Sequence, residues 1–178
     1  NKGWTSFTAT SGQVVTIHST AIANPAAIRS ATDGVLVNGP TFVVDNPPNY
    51  SNYSMHFDAT DDLVDFGDIA VMDGATALTI SAWIKRDVSN GMVTIQKDLD
   101  VNNRLGINVY DDGNIYINLA EGAFYSGGSF ACNDTSWHHV AMVYDGTGTG
   151  NAGRLKGFLD GIEQTLSFTG TVPAATDV

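Results

Sequence analysis

The sequence predicts an all-β protein, a two-sheet antiparallel sandwich, from three observations. Of the 19 acidic residues in the 178-residue chain, 17 are aspartates, which are poor in helix interiors and frequent in turns. About ten short β-prone segments follow one another from residue 35 onward, at the close spacing typical of a sandwich or barrel. No long segment has the 3.6-residue hydrophobic period of an amphipathic helix.

The N-terminal segment differs in composition from the rest. Residues 1–32 are rich in Thr, Ser and Ala, with one β-prone run at 14–17 and a proline-led, helix-like start at 24–29. We predict residues 1–32 to be an N-terminal arm or adapter and residues 33–178 to be the jelly-roll domain.

Short β-prone runs separated by turn residues predict the strands of the first half. The run at 78–85 alternates apolar and polar residues, which places Leu78, Ile80, Ala82 and Ile84 on one face. A helical turn is expected at 70–77. The other strands of this half are predicted at 35–37, 41–44, 54–57 and 63–66.

Two hairpin signatures organise the second half. Asp111-Asp112-Gly113 and Asp160-Gly161 each follow one β-prone run and precede another, as tight turns do. The glycine-containing stretch 121–128 is interpreted as a flexible loop. The strands of this half are predicted at 92–96, 105–110, 114–119, 137–144, 155–159 and 162–168.

Four segments together resemble a known family. They are 54–65, 78–84, 136–146, which contains Trp137-His138-His139-Val140, and 157–161. In this order they are similar to the laminin-G-like branch of the concanavalin A-like lectin/glucanase superfamily, over roughly residues 33–170. The resemblance implies a two-sheet antiparallel jelly roll. It also implies a non-catalytic module of exterior proteins that binds glycans or proteins, often with calcium, although some relatives cleave glycans. Within this resemblance, His139 is expected to hydrogen-bond a loop at the edge of the core.

The chain departs from the family at its end. Relatives run on into a final strand pair with a Gly-x-Ile-Asp-Glu-Val-like motif, and no such segment precedes Val178. We therefore expect the sandwich to be completed by the N-terminal arm, by a partner strand or by residues outside this sequence. An edge left open would be a place for strand addition.

The carboxylates argue against an enzyme. Glycan hydrolysis needs two carboxyl groups that flank the scissile bond. Glycanases that the chain resembles often carry a Glu-x-Asp-x-x-Glu-like motif, and neither Glu121 nor Glu163 lies in one.

Oxygen-rich loops predict a calcium site. Calcium takes six to eight oxygen ligands from carboxylates, amides and carbonyls. Solvated turn aspartates are the alternative explanation for each such loop. Two further acidic clusters occur at 58–62 and 111–112. The predicted metal ligands are Asp98, Asp100, Asn102 and Asn103.

Aromatic residues beside loops are the candidates for ligand contact. Tyr110 precedes the Asp111-Asp112-Gly113 turn, and Phe124 and Tyr125 lie in the stretch 121–128. Trp83 is a fourth candidate, and its alternative role is packing in the core or on a sheet face.

Charge and hydropathy narrow the partners. A net charge of −11 repels phosphate backbones and anionic lipid, and no apolar run approaches the length of a membrane helix. We therefore expect neither nucleic-acid binding nor membrane insertion.

The predicted function is a non-catalytic binding or adhesion domain for glycan or protein surfaces, at an extracellular, cell-surface or virion-surface location. The first alternative is a structural subunit of a virion decoration or surface filament, assembled as a homo-oligomer through the open edge or residues 1–32. A glycan-cleaving enzyme is the weaker alternative.

Overall fold

The structure, a computed structural model, confirms the all-β prediction. It describes residues 7–9, 13–16, 34–47, 53–87, 93–100, 103–120 and 127–176. These residues form fifteen strands, one 3₁₀ turn at Ala70–Met72 and one short helix, α1, at Gly150–Arg154. The strands are β1 (Phe7–Ala9), β2 (Gln13–Thr16), β3 (Val35–Val37), β4 (Thr41–Val43), β5 (Ser54–Phe57), β6 (Leu63–Asp65), β7 (Ala77–Arg86), β8 (Val93–Asp100), β9 (Asn103–Val109), β10 (Asn114–Ala120), β11 (Gly127–Ala131), β12 (His138–Asp145), β13 (Leu155–Leu159), β14 (Ile162–Gln164) and β15 (Ser167–Thr169).

Two antiparallel sheets form the sandwich. In the described chain, eight strands pair in the order β15-β11-β10-β9-β8-β1-β6-β3, and seven pair in the order β14-β13-β12-β7-β2-β5-β4. The N-terminal segment contributes an inner strand to each sheet, because β1 pairs with β6 and β8, while β2 pairs with β5 and β7. The arm thus helps to complete the sandwich, and the domain boundary at residue 33 stays a prediction.

The core lies between the two sheets and follows the alternation of the strands. Ile80, Ala82 and Ile84 of β7 are buried, as the sequence pattern predicts. Ile107 of β9 and Ile117 of β10 are cross-strand partners in the other sheet and are equally buried. Burying each such side chain stabilises the fold by roughly 1.5–3 kcal/mol.

Strand β11 is the main difference from the predicted fold. It begins at Gly127, inside the stretch interpreted as a flexible loop, and pairs with β10 on one side and β15 on the other. Its two leading glycines carry no β-propensity, so the sequence pattern hides it. The helical turn predicted at 70–77 is shortened to the 3₁₀ turn.

Strands β3 and β4 are the edge strands on one side of the described sandwich. The turn between them contains Asn38 and Gly39 at positive φ, 64° and 110°. A glycine meets the second angle at little cost because it has no Cβ. Large apolar side chains on or beside this edge are exposed: Val35, Leu36, Phe42 and Val44.

No helix in the described part of the chain is both long and apolar enough to cross a membrane.

Candidate functional site

A pocket of about 280 Å³ opens on the outer face of the eight-stranded sheet. Ile115, Ile117 and Leu119 of β10 face the core, so the alternate residues Tyr116 and Asn118 face outward into the pocket. The volume lies near the lower end of the range for small-molecule sites. The lining residues are Tyr110, Tyr116, Asn118, Gly127, Gly128, Ser129, Ser167 and Thr169.

Two tyrosines form one wall of the pocket. The rings of Tyr110 and Tyr116 meet edge to face, with centroids 5.1 Å apart and an interplanar angle of 76°. The Tyr116 hydroxyl donates to Asp112 Oδ2 at 2.7 Å, and the Asn114 amide donates to Asp112 Oδ1 at 2.9 Å. The hydrogen bond from Tyr116 holds the pKa of Asp112 below its usual value, and the same bond raises the pKa of Tyr116. The turn between β9 and β10 therefore fixes the tyrosine pair.

Two buried asparagine amides lie on the same outer face. Asn108 is 1% exposed and Asn118 is 3% exposed. The Nδ2 atom of each is buried and has no hydrogen-bond partner in the described chain. Leaving such a donor unpaired costs about 1–3 kcal/mol, so most native proteins supply a partner, an ordered water or a ligand. Asn118 is also one of the residues that line the pocket.

Strand β11 forms the opposite side of the pocket. Gly127 is the cross-strand partner of Asn118. A Cβ at Gly127 would lie 3.1 Å from the Asn118 Cα and closer still to the Ile117 carbonyl oxygen, so only glycine lets the two strands approach this closely. Ser129 and Ser167, cross-strand partners on β11 and β15, add hydroxyl groups.

A buried arginine supports the pocket from below. Arg86, at the end of β7, is 3% exposed. Its guanidinium donates to the carbonyl oxygens of Cys132 at 2.6 Å, Asp134 at 3.3 Å and Tyr110 at 3.4 Å. These bonds connect the seven-stranded sheet to the ends of β9 and β11. Arg86 is thus a positioning residue for Tyr110. It could not be found from the sequence, because its partners are backbone atoms 24 to 48 residues further along the chain.

Polar but uncharged groups define the chemistry of the pocket. Among its described lining residues there is no carboxylate, histidine, lysine or arginine. Asp112, which holds Tyr116, is not a lining residue. The pocket is therefore equipped for hydrogen bonding and aromatic contact.

A comparison with known families identifies the fold. A laminin-G-type family model, described as concanavalin A-like lectin/glucanases superfamily, matches residues 58–177. The chain belongs to this superfamily. Searches of curated proteins and of solved structures each found no significant match. The superfamily contains both lectins and glycosidases, and its laminin-G-like domains commonly bind glycans or proteins and are typically extracellular.

The structure places the aromatic residues predicted to contact a ligand in different parts of the fold. Tyr110 lines the pocket. Trp83 lies on the outer face of the other sheet, with its ring 5.5 Å from that of His139. Phe124 and Tyr125 lie outside the described residues. Tyr116 and Asn118 were missed as site residues, although the alternation of β10 could have placed them outward.

Residues of the predicted calcium loop form hydrogen bonds with other residues of the chain. Asp98 Oδ1 accepts from Arg104 Nε at 3.0 Å, and Asp98 Oδ2 accepts from Gln96 Nε2 at 2.6 Å. Burial raises the pKa of Asp98 and outweighs the opposing effect of Arg104. Asp100 and Asn103 are backbone partners where β8 meets β9, and Asn102 lies outside the described residues. Metal binding by these four residues stays a prediction.

The histidine pair is divided between the two sides of β12. The His138 ring bridges two loops, with Nδ1 2.7 Å from Asp160 Oδ2 and Nε2 2.9 Å from Asp134 Oδ1. His139 bonds the same hairpin turn only through its backbone, whose amide donates to Asp160 Oδ1 at 2.8 Å. His139 therefore hydrogen-bonds a loop as expected, through its backbone, while the His138 ring makes the side-chain contact with the same turn. Burial lowers the pKa of His138, but hydrogen bonds to Asp160 and Asp134 outweigh it and hold the pKa above its usual value.

Proposed function

We propose that the protein is a non-catalytic, exterior carbohydrate-binding domain whose pocket between β9, β10, β11 and β15 takes a neutral glycan. The observation that carries the proposal is the partnerless, buried Asn118 amide beside the Tyr110–Tyr116 pair. Membership of a superfamily that includes lectins supports it.

The pocket matches the chemistry of a sugar ring. A pyranose presents C–H groups on its faces and hydroxyl oxygens at its rim. The tyrosine rings offer apolar surface for the former. The Asn118 amide and the hydroxyls of Ser129 and Ser167 offer hydrogen bonds for the latter. The volume of about 280 Å³ suits one or two sugar residues at the end of a chain.

Charge favours a neutral glycan over an acidic one. No cationic side chain is found among the described lining residues to pair with a uronate or sulfate group. The net charge of −11 adds a long-range repulsion toward any anionic polymer.

The same lining favours binding over cleavage. Glycosidases place two carboxyl groups on either side of the scissile bond, about 5–10 Å apart. The described lining residues offer no carboxyl group, so we propose that the bound glycan is released unchanged.

The test is affinity for a panel of neutral oligosaccharides, measured by isothermal titration calorimetry with the full chain. Tyr116→Ala should weaken binding of any positive glycan at least ten-fold, because it removes half of the aromatic wall. Trp83→Ala is the matched control, since it removes an aromatic side chain from the other sheet and should bind like the wild type. Loss of binding in Trp83→Ala with retention in Tyr116→Ala would place the site on the other sheet.

A second candidate function, assembly with further copies of the chain, is favoured by one observation. Val35, Phe42 and Val44 are 63%, 66% and 77% exposed on or beside the edge strands β3 and β4. Such an edge can extend a sheet into a second copy. Light scattering after gel filtration tests this: self-association that Phe42→Lys abolishes supports it, and a monomer at every concentration removes it.

A further inference from the structure

The ring of His138 lies between two carboxylates at one end of the sandwich. Its Nδ1 is 2.7 Å from Oδ2 of Asp160, in the turn after β13, and its Nε2 is 2.9 Å from Oδ1 of Asp134, in the loop before β12. The His138 side chain is 17% exposed, and both aspartate side chains are more exposed than the ring. Both ring nitrogens therefore face an acidic oxygen.

Only the charged form of the ring satisfies both contacts. An ionised carboxylate accepts hydrogen bonds and donates none, so each contact needs a proton on the ring nitrogen. The imidazolium carries a proton on both nitrogens, whereas the neutral imidazole carries one. When the ring loses a proton, one nitrogen presents a lone pair to a carboxylate, and a charge-assisted hydrogen bond is lost. The geometry thus defines two states of this cluster that differ by one proton.

The two acids dominate the electrostatics of the ring. Among the described residues, Asp160 and Asp134 supply the charges that act on His138. Burial lowers the pKa of His138, and the hydrogen bonds to both carboxylates more than offset it, so the pKa lies above its usual value. The cluster therefore favours the charged ring, as the two contacts require.

The other elements around the ring bring no further acid to it in the described chain. Its partner on β7 is Ile84, and Arg86 lies two residues further along that strand. His139 projects from the opposite face of β12. Burial raises the pKa of the neighbouring Cys132 thiol, so the thiol carries no charge near neutral pH. His138 is thus the group in this cluster that changes its charge near neutrality.

The loop before β12 packs against the turn that holds the tyrosine pair. The Cys132 amide donates to the Gly113 carbonyl at 2.9 Å. Gly113 has a φ of 80°, and a Cβ at this position would lie 2.8 Å from Cγ of Asn133. The loop therefore contacts the β9–β10 turn through both a hydrogen bond and close packing.

Arg86 connects the same loop to the pocket wall. Its guanidinium donates to the carbonyls of Cys132 and Asp134 in the loop, and to that of Tyr110 in the pocket lining. Asp134 is thus held at its carbonyl by Arg86 and at its carboxylate by His138. A change in the bond to His138 reaches Tyr110 through one loop and one arginine.

We propose that His138 is a positioning residue that makes ligand binding at the tyrosine pocket depend on pH. The doubly protonated ring holds the loop, and with it Tyr110, in the arrangement described above. Loss of one proton removes a bond to the loop or to the β13–β14 turn and loosens this support. Glycan affinity is therefore highest where the ring is charged and falls as the pH rises. The identity of the ligand rests on the proposed function, whereas the coupling between His138 and Tyr110 does not.

The first test follows the unliganded, ¹⁵N-labelled full chain by NMR while the pH rises from below about 6.5 to well above neutrality. The backbone amide signals of Tyr110 and Cys132 should shift with the same midpoint as the His138 ring. His138→Gln should abolish both shifts, because glutamine does not titrate. His56→Gln is the matched control and should keep them, since the His56 ring pairs with Asp87.

The second test measures affinity for the neutral oligosaccharide that binds best, by calorimetry over the same pH range. The wild-type affinity should fall about five-fold as the ring loses its proton. The affinity of His138→Gln should stay constant. A wild-type affinity that does not change with pH would overturn the coupling to the pocket.

The two tests separate this inference from the proposed function. If no neutral glycan binds, the proposed function fails, and the amide signals alone decide the coupling. The inference is overturned if His138 titrates while the Tyr110 signal stays in place, or if His138→Gln keeps the Tyr110 shift. If His138→Gln fails to fold, Asp134→Asn takes its place. Removing one carboxylate should lower the midpoint of His138 and of Tyr110 together, and an unchanged Tyr110 midpoint would contradict the coupling.

Discussion

The two ends of the eight-stranded sheet leave opposite kinds of polar group without a hydrogen-bond partner. At the pocket beside β10, β11 and β15, the partnerless atoms are amide donors in a lining without charge. At the loop that leads into β6, the partnerless atom is a carboxylate oxygen among two further carboxylates. An unpaired amide donor is satisfied by an acceptor oxygen, whereas a cluster of carboxylates is stabilised by a positive charge. The difference teaches that the two ends of the sheet leave chemically different groups without a partner.

The largest expected effect comes from Arg86. Arg86→Met removes the donor that satisfies the carbonyls of Cys132, Asp134 and Tyr110, and should lower the free energy of unfolding by about 3 kcal/mol. Urea unfolding measures this. Since Arg86 bonds the Tyr110 carbonyl beside the pocket, the folded variant should also lose glycan affinity.

Arg104→Met is the control for that substitution. Arg104 pairs with Asp98 near the surface, so its loss should cost less than about 1 kcal/mol. Equal destabilisation by the two variants would mean that Arg86 has no special role in holding the pocket.

A smaller effect of opposite sign is expected at Asn118. Asn118→Leu replaces a buried, partnerless amide with an apolar group of similar size, and should raise the free energy of unfolding by about 1 kcal/mol. The same variant should bind glycan more weakly, because it replaces a polar residue of the pocket lining. A variant that is less stable and binds as before would show that the amide already has a partner.

The smallest effect is expected at His138, whose ring lies between the carboxylates of Asp134 and Asp160. Its folded-state pKa is raised, so its contribution to stability is fully present below the unfolded-state pKa of about 6.5 and is lost as the pH rises through the folded-state pKa. The difference in unfolding temperature between the wild type and His138→Gln should therefore shrink as the pH rises above neutrality. A difference that grows with pH would contradict the bridge to Asp134 and Asp160.

Much of the fold could be predicted from the sequence, because strands with one buried face alternate. Ile80, Ala82 and Ile84 show this period directly. Strand β11 could not be found this way, since Gly127 and Gly128 carry no pattern and are held in place by β10 and β15.

The candidate site residues were less predictable, because the order of residues in one chain does not show which side chains meet across a sheet. Tyr110 was accessible as an aromatic residue at a strand end. Asp98 forms an ion pair with Arg104 across the hairpin. Asp62 Oδ1 has no hydrogen-bond partner in the described chain. Neither fact can be read from the order of the residues.

The side-chain amide resonance of Asn118 tests the central claim most directly. In a ¹⁵N-labelled full chain titrated with the neutral oligosaccharide that binds best in the panel, we predict that the Asn118 NH₂ signals shift while signals from residues 58–62 stay in place. An unmoved Asn118 amide with a shifted Trp83 indole, or a panel in which no neutral glycan binds, would contradict the account.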